Sequence, residues 1–135
     1  MKILFVCKHN RFRSKIAEAA FKKLNKNKAI KSYSAGIFKG IPVHQNIISI
    51  GKSLNLQISK QTKSLDEKFM KSIDKVIIVA NNVPKEIFKN KVRPVTVWEI
   101  PDTNQNNKKL IDKISKQIIS KVEKLLFNLN RSNNN

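Results

Sequence analysis

Three short runs of this chain, residues 2–6, 75–80 and 92–98, are rich in Ile, Val and Phe and nearly continuous, with Arg93 and Thr96 the polar residues in the third. Runs of that kind are what strands buried on both faces of a parallel sheet require. A weaker fourth strand is expected at Lys31-Ser32-Tyr33-Ser34-Ala35-Gly36, ending at a glycine. Between these runs lie helical patterns: Ser14 to about Leu24, about Val43 to Leu54, about Asp66 to Ile73, and a short one from Pro84 to Lys89. The clearest helix runs from Lys108 to about Asn128, where Ile111, Ile114, Ile118, Val122, Leu125 and Leu129 recur on one side with Lys and Asp opposite. Alternation of strands and helices predicts an α/β sandwich around a parallel sheet, with ligands bound at the carboxyl ends of the strands. Cys7, Gly36, Asn81 and Asp102 all fall at or just beyond such ends.

The 135 residues, 40% of them apolar, suit one compact domain. That domain is expected over residues 1–128, with 129–135 a disordered tail. No stretch of about 18 uninterrupted apolar residues is present to span a membrane. Lys8 to Ser14 interrupt the one N-terminal run that could imitate a signal peptide. A cytoplasmic monomer that does not engage membranes is expected. The single cysteine cannot form an internal disulfide, in keeping with a reducing compartment. A formal charge of +19 raises the local concentration of any anionic partner without selecting one. The lysines are spread along the chain, and no helix-turn-helix, zinc-finger or single-strand-binding signature accompanies them. Specific nucleic-acid binding is therefore not expected.

Cys7 closes the first apolar run and is followed by Lys8-His9-Asn10-Arg11-Phe12-Arg13-Ser14 before the helical pattern begins. A lone cysteine at a strand end is commonly a small core hydrophobe. The residues after it argue for more. In a loop wrapped before a helix start, consecutive backbone N–H groups from Lys8 to Arg13 can point at one anion, reinforced by the helix dipole. Such a site stabilises a thiolate, the competent nucleophile. Arg13 can offer its planar fork to two oxygens of a tetrahedral oxyanion, whereas the Arg11 side chain reads as a surface arginine. Ser14 is expected to cap the helix and also to bond the sulfur. Asn10 suits a left-handed backbone position.

The segment Cys7 to Ser14, with Ala17-Glu18 after it, resembles the phosphate-binding loop of low-molecular-weight protein tyrosine phosphatases. The shared pattern is Cys, two residues, Asn, two residues, Arg, Ser. Ser34-Ala35-Gly36 and Trp98-Glu99-Ile100-Pro101-Asp102 extend the resemblance to roughly residue 128. It implies a flavodoxin-like fold of four parallel strands and a phosphate-binding set of Lys8, His9, Asn10, Arg11, Phe12, Arg13 and Ser14. It also implies hydrolysis of phosphate monoesters, protein phosphotyrosine above all, through a phosphocysteine on Cys7. Asp102 matches the family's general acid; without the resemblance it reads as a turn or cap aspartate. Glu18, Asp112 and Glu123 read as surface charges on helices. Catalysis is assigned to Cys7, Arg13 and Asp102, with no cofactor. His9 and His44 lack partners at metal-ligand spacing, so no metal is implied.

The chain departs from the family pattern at three places. His9 stands where glycine is common, Phe12 stands where many members carry a second cysteine, and Thr103-Asn104 follow Asp102 in place of a proline and an aromatic. Phe38 is a candidate apolar wall. Two alternatives remain open. Thioredoxin-coupled arsenate reductases resemble the same loop, but with one cysteine only transfer to a small external thiol is left. A non-catalytic phosphate- or phosphoprotein-binding module would need the loop but not nucleophile and acid together.

Overall fold

A computed structural model describes residues 1–38, 40, 42–88 and 93–133. Strands β1 (Lys2–Cys7), β2 (Lys31–Gly36), β3 (Lys75–Val79) and β4 (Val95–Trp98) form one sheet in the order β2-β1-β3-β4, with every pair parallel. Helix α1 (Arg13–Leu24) connects β1 to β2. Helices α2 (Gln45–Ser53) and α3 (Glu67–Met70) lie between β2 and β3, a single 3₁₀ turn (Lys85–Phe88) precedes β4, and α4 (Lys108–Asn133) ends the chain.

In β1 and β3 the near-continuous apolar runs are explained by cores on both faces of the sheet, whereas the edge strand β4, expected to be buried likewise, leaves Thr96 exposed and Val95 and Val97 partly buried. Ile3 and Phe5 of β1 join Ile77 and Val79 of β3 in a core with Ile16, Ala20 and Phe21 of α1 and Ile111, Ile118 and Val122 of α4. Leu4 and Val6, pointing the other way, pack with Val76, Ile78, Met70, Ile73 and Phe88. After β1 the chain turns to one side to make β2, then crosses β1 to make β3 on the other. Cys7 therefore sits where the strand order reverses, the usual ligand crevice of an open parallel sheet.

Several boundaries differ from expectation. β4 begins at Val95, because Pro94 has no N–H to give the ladder and contributes only its carbonyl, to Val76 N. Residues 89 and 92, in the expected short helix and strand, lie outside the described residues. The helix expected from Asp66 to Ile73 is one turn: Asp66 caps it by accepting from Lys68 N, and tight turns at Ser72 and Ile73 lead into β3. His44 caps α2, its Nδ1 accepting from Asn46 N. Helix α4 runs to Asn133, not to 128. Leu125 and Leu129 pack against the core beside the buried Leu126, and that burial holds the last turns helical where a disordered tail was expected.

Lys15 on α1 is buried, and its ammonium donates to Ser59 Oγ at 2.8 Å. Burial pushes its pKa below the ordinary 10.5; nearby Glu18 opposes this, and Lys63 and Lys22 add to it. The unfolded chain thus holds the proton to higher pH than the folded one, so the cost of burying this charge is present at neutral pH and fades as pH rises toward 10.5. Lys15→Met is expected to melt higher than the parent at pH 7, and Ser59, being exposed, regains water. Melting curves at pH 7 and pH 10 check this: the variant's advantage should shrink at the higher pH, and an advantage that stays constant would contradict it.

Candidate active site

Asn10 organises the loop after β1. It is buried with φ 56°, a left-handed conformation that asparagine tolerates. Its Oδ1 accepts from Lys63 N at 2.9 Å and its Nδ2 donates to Ser14 Oγ at 2.7 Å. Ser14 Oγ lies 3.0 Å from Cys7 Sγ. The serine oxygen accepts from Asn10 and keeps its own proton to donate, so the chain of bonds runs from Lys63 N–H through Asn10 to the Ser14–Cys7 contact, in which either atom can be the donor. Ser14 is accordingly not the helix cap. It is the second residue of α1, and Phe12 occupies the cap position with no side-chain bond. Among the described residues, none of the backbone N–H groups from Lys8 to Arg13 is spent on a protein acceptor. Those donors, at the start of a 12-residue helix, are what an oxyanion beside the sulfur would meet.

Arg13 is 2% exposed, an unusual burial for a guanidinium. Nη1 donates to the Ile100 carbonyl at 2.9 Å and Nη2 to Asn82 Oδ1 at 3.0 Å, anchoring the fork to the chain beyond β4 and β3. Nη2 also stands 3.6 Å from Asp102 Oδ2. Asp102 is half exposed, and its Oδ1 accepts from Thr103 N at 2.9 Å. Cys7, Lys8, His9, Arg11, Phe12, Arg13, Asp102 and Gln105 line one cavity of about 30 Å³. A much larger cleft of about 750 Å³ along α1 and α2 is lined by lysines and aliphatic residues and has neither thiol nor carboxylate, so size points away from the chemistry.

The structure thus brings Cys7, Lys8, His9, Arg11, Phe12, Arg13 and Asp102 together, with Asn10 and Ser14 supporting from behind. Arg11 is not a plain surface arginine: it lines the cavity, and its Nε is buried without a hydrogen-bond partner among the described residues. Phe12 is buried, while His9 stands at the rim with its ring 6.0 Å from that of the exposed Phe38. Glu18 is largely buried, accepting from Ser34 Oγ at 2.7 Å and from Lys22 Nζ at 3.0 Å. It ties α1 to β2 and is not an ordinary surface charge. Asn82 and Gln105 were missed by sequence reasoning. The pair Asn81-Asn82 at the end of an apolar run was a signal for the first; nothing marked the second.

Gly36, opposite Cys7 in the β1–β2 register, is what lets the loop close. A Cβ there would stand 2.6 Å from His9 C and 2.7 Å from Asn10 N, backbone atoms that cannot swing aside. Gly36→Ala is expected to cost about 1–3 kcal/mol of stability by overpacking and to displace the anion-binding donors. A lower urea midpoint together with weakened binding of inorganic phosphate checks this; a variant with both unchanged would refute it.

Sheet order and switch point make this a flavodoxin-like α/β protein with Cys7 and the loop after it at the switch point. The family model for low molecular weight phosphotyrosine protein phosphatase matches residues 2–135, and the chain belongs to that family. Members of this family act on phosphorylated substrates through a cysteine. Similar solved structures include an arsenate reductase from Archaeoglobus fulgidus, at 26% identity, with 92% of this chain and 98% of that one covered and a TM-score of 0.78. A low molecular weight protein tyrosine phosphatase from T. tengcongensis is 24% identical, with coverage of 95% and 99% and a TM-score of 0.80. The YwlE arginine phosphatase from Geobacillus stearothermophilus is 16% identical, with coverage of 97% and 94% and a TM-score of 0.84. Comparison with curated proteins gives no match.

Proposed function

We propose that the protein hydrolyses phosphate monoesters, with protein phosphotyrosine as the substrate, through a phosphocysteine on Cys7. The observation that carries this reading is the convergence of Cys7, Arg13 and Asp102 on one cavity, with Ser14 3.0 Å from the sulfur. In the first step the Cys7 thiolate attacks phosphorus in line, the bond to the leaving oxygen breaks, and Asp102 gives that oxygen its proton. Arg13 and the unspent N–H groups of the loop carry the charge on the equatorial oxygens. In the second step water attacks the phosphocysteine, Asp102 takes its proton, and the P–S electron pair returns to sulfur, where the Ser14 hydroxyl receives it. No step requires a metal. Phe38, exposed beside His9 at the rim, supports an aryl leaving group by offering it an aromatic wall. The single cysteine gives the arsenate-reductase alternative no internal relay.

The test is turnover of p-nitrophenyl phosphate and of a phosphotyrosine peptide with a chelator present, between about pH 5 and 7. Metal-free hydrolysis of both supports the reading, with a higher kcat/KM for the peptide than for a phosphoserine peptide. Phosphate binding without turnover of either would replace it with the binding-module alternative.

A further inference from the structure

Gln105 lines the cavity that holds Cys7, Arg13 and Asp102, and its orientation is fixed from two sides. Asn46 Nδ2 donates to its backbone carbonyl at 3.0 Å, tying the loop to α2. Its own side-chain Nε2 donates to the Thr103 carbonyl at 3.1 Å. With the amide nitrogen spent on Thr103, the amide oxygen is the end left over. Gln105 Oε1 is buried and has no hydrogen-bond partner among the described residues. A buried carbonyl of that kind is costly unless something bound supplies a donor.

The proposed reaction contains few donors that could do so. Phosphoryl oxygens are acceptors, and they have the Arg11 and Arg13 side chains and the loop N–H groups to meet. The leaving oxygen arrives as an acceptor and takes its proton from Asp102. Water in the second step is different, because it carries two protons and only one of them goes to Asp102.

Resting on the phosphatase reading above, we propose that Gln105 Oε1 accepts the second proton of the hydrolytic water, and so positions it, while Asp102 accepts the first. The water oxygen forms a bond to phosphorus, one proton passes to Asp102, and the P–S bond breaks with its electron pair returning to Cys7 Sγ. The proton held by Gln105 is not transferred. It stays on the incoming oxygen and leaves as the P–OH of hydrogen phosphate. Two acceptors fix the direction of the water's lone pair toward phosphorus, and this is the alignment a fast second step needs.

The role is confined to the second step, and that confinement makes it testable. Gln105→Met keeps the side chain's length and removes the acceptor. With p-nitrophenyl phosphate, kcat/KM ends at the first irreversible step, departure of nitrophenol, and should stay within about twofold of the parent. Dephosphorylation should slow about tenfold or more, so kcat and KM fall together. Rapid mixing should then show a burst of nitrophenol approaching one equivalent per Cys7. Gln105→Ala, which also loses the Thr103 contact, should show the same division. A fall in kcat/KM that matches the fall in kcat, without a burst, would overturn the proposal and leave Gln105 a support for the loop. Unchanged kcat in both variants would overturn it as well. A parent enzyme with no turnover would overturn the phosphatase reading itself, and that is seen before any variant is compared.

Discussion

Cys7→Ser is expected to lower kcat for p-nitrophenyl phosphate by about 10⁴-fold or more while leaving phosphate binding intact. Cys7 is 2% exposed at the end of β1, so the smaller serine enters without disturbing either core. Its hydroxyl can keep the contact to Ser14 that sulfur now makes at 3.0 Å. What is lost is the sulfur nucleophile of the proposed first step. The bond chain from Lys63 through Asn10 ends at the Ser14 hydroxyl, which can donate to an anion at that position but is no base to remove a proton from an alcohol. Asp102 cannot substitute as the base, because the first step needs it protonated. In the proposed mechanism the anion is held by Arg13 and the loop N–H groups, none of which the substitution touches. Inorganic phosphate should therefore bind the variant within a few-fold of the parent, measured by calorimetry beside the turnover assay. Residual turnover above about a hundredth of the parent's would argue that Cys7 is not the nucleophile.

How much of this was legible in the sequence depends on how far apart the interacting residues lie. The turn after β1 was legible because its signals are local: an apolar run stopped by a cysteine, an asparagine at the left-handed position and a helical stripe from Ile16. The parallel sheet was legible for a similar reason, since Leu4 and Val6 are as apolar as Ile3 and Phe5, and only burial on both faces asks for that. What holds Arg13 was not legible. Its partners are 69 and 87 residues away in the chain, and Ile100 contributes a carbonyl that every residue possesses. Gln105 was hidden likewise, because its orientation depends on Asn46, 59 residues earlier. Ser14 was legible in part: its contact with the sulfur was expected and is present, but the cap role falls to Phe12. A serine at a helix start usually serves the backbone, but here Asn10 and the sulfur claim its hydroxyl. Glu18 looked like a solvent charge until β2 brought Ser34 against it. The polar residues around Leu129 made the end of α4 look like a tail, yet Leu125, Leu126 and Leu129 together keep those turns against the core.

Arg13→Lys, which preserves the charge, is expected to reduce kcat/KM by about 10²- to 10³-fold. At a surface site the exchange would be mild, but this guanidinium is buried and holds two anchors at once. One nitrogen serves the Ile100 carbonyl and another serves Asn82 Oδ1, leaving the remaining donors of the fork for oxygens at the cavity. Those two contacts fix the plane of the fork, so the phosphoryl group meets donors that need no reorganisation as charge builds in the transition state. A lysine ammonium is a point charge on a flexible stem and cannot span both anchors while presenting a planar pair of donors. If it bonds Ile100 and Asn82 it is withdrawn from the substrate. If it reaches the substrate, a buried carbonyl loses its partner at a cost of about 1–3 kcal/mol. The variant should therefore show both a lower melting temperature and a fall in kcat that is larger than its rise in KM, because the fork matters most when the equatorial oxygens carry the most charge. An Arg13→Lys enzyme with near-parental kcat would mean that positive charge alone suffices here, and that the anchoring by Asn82 and Ile100 serves only stability.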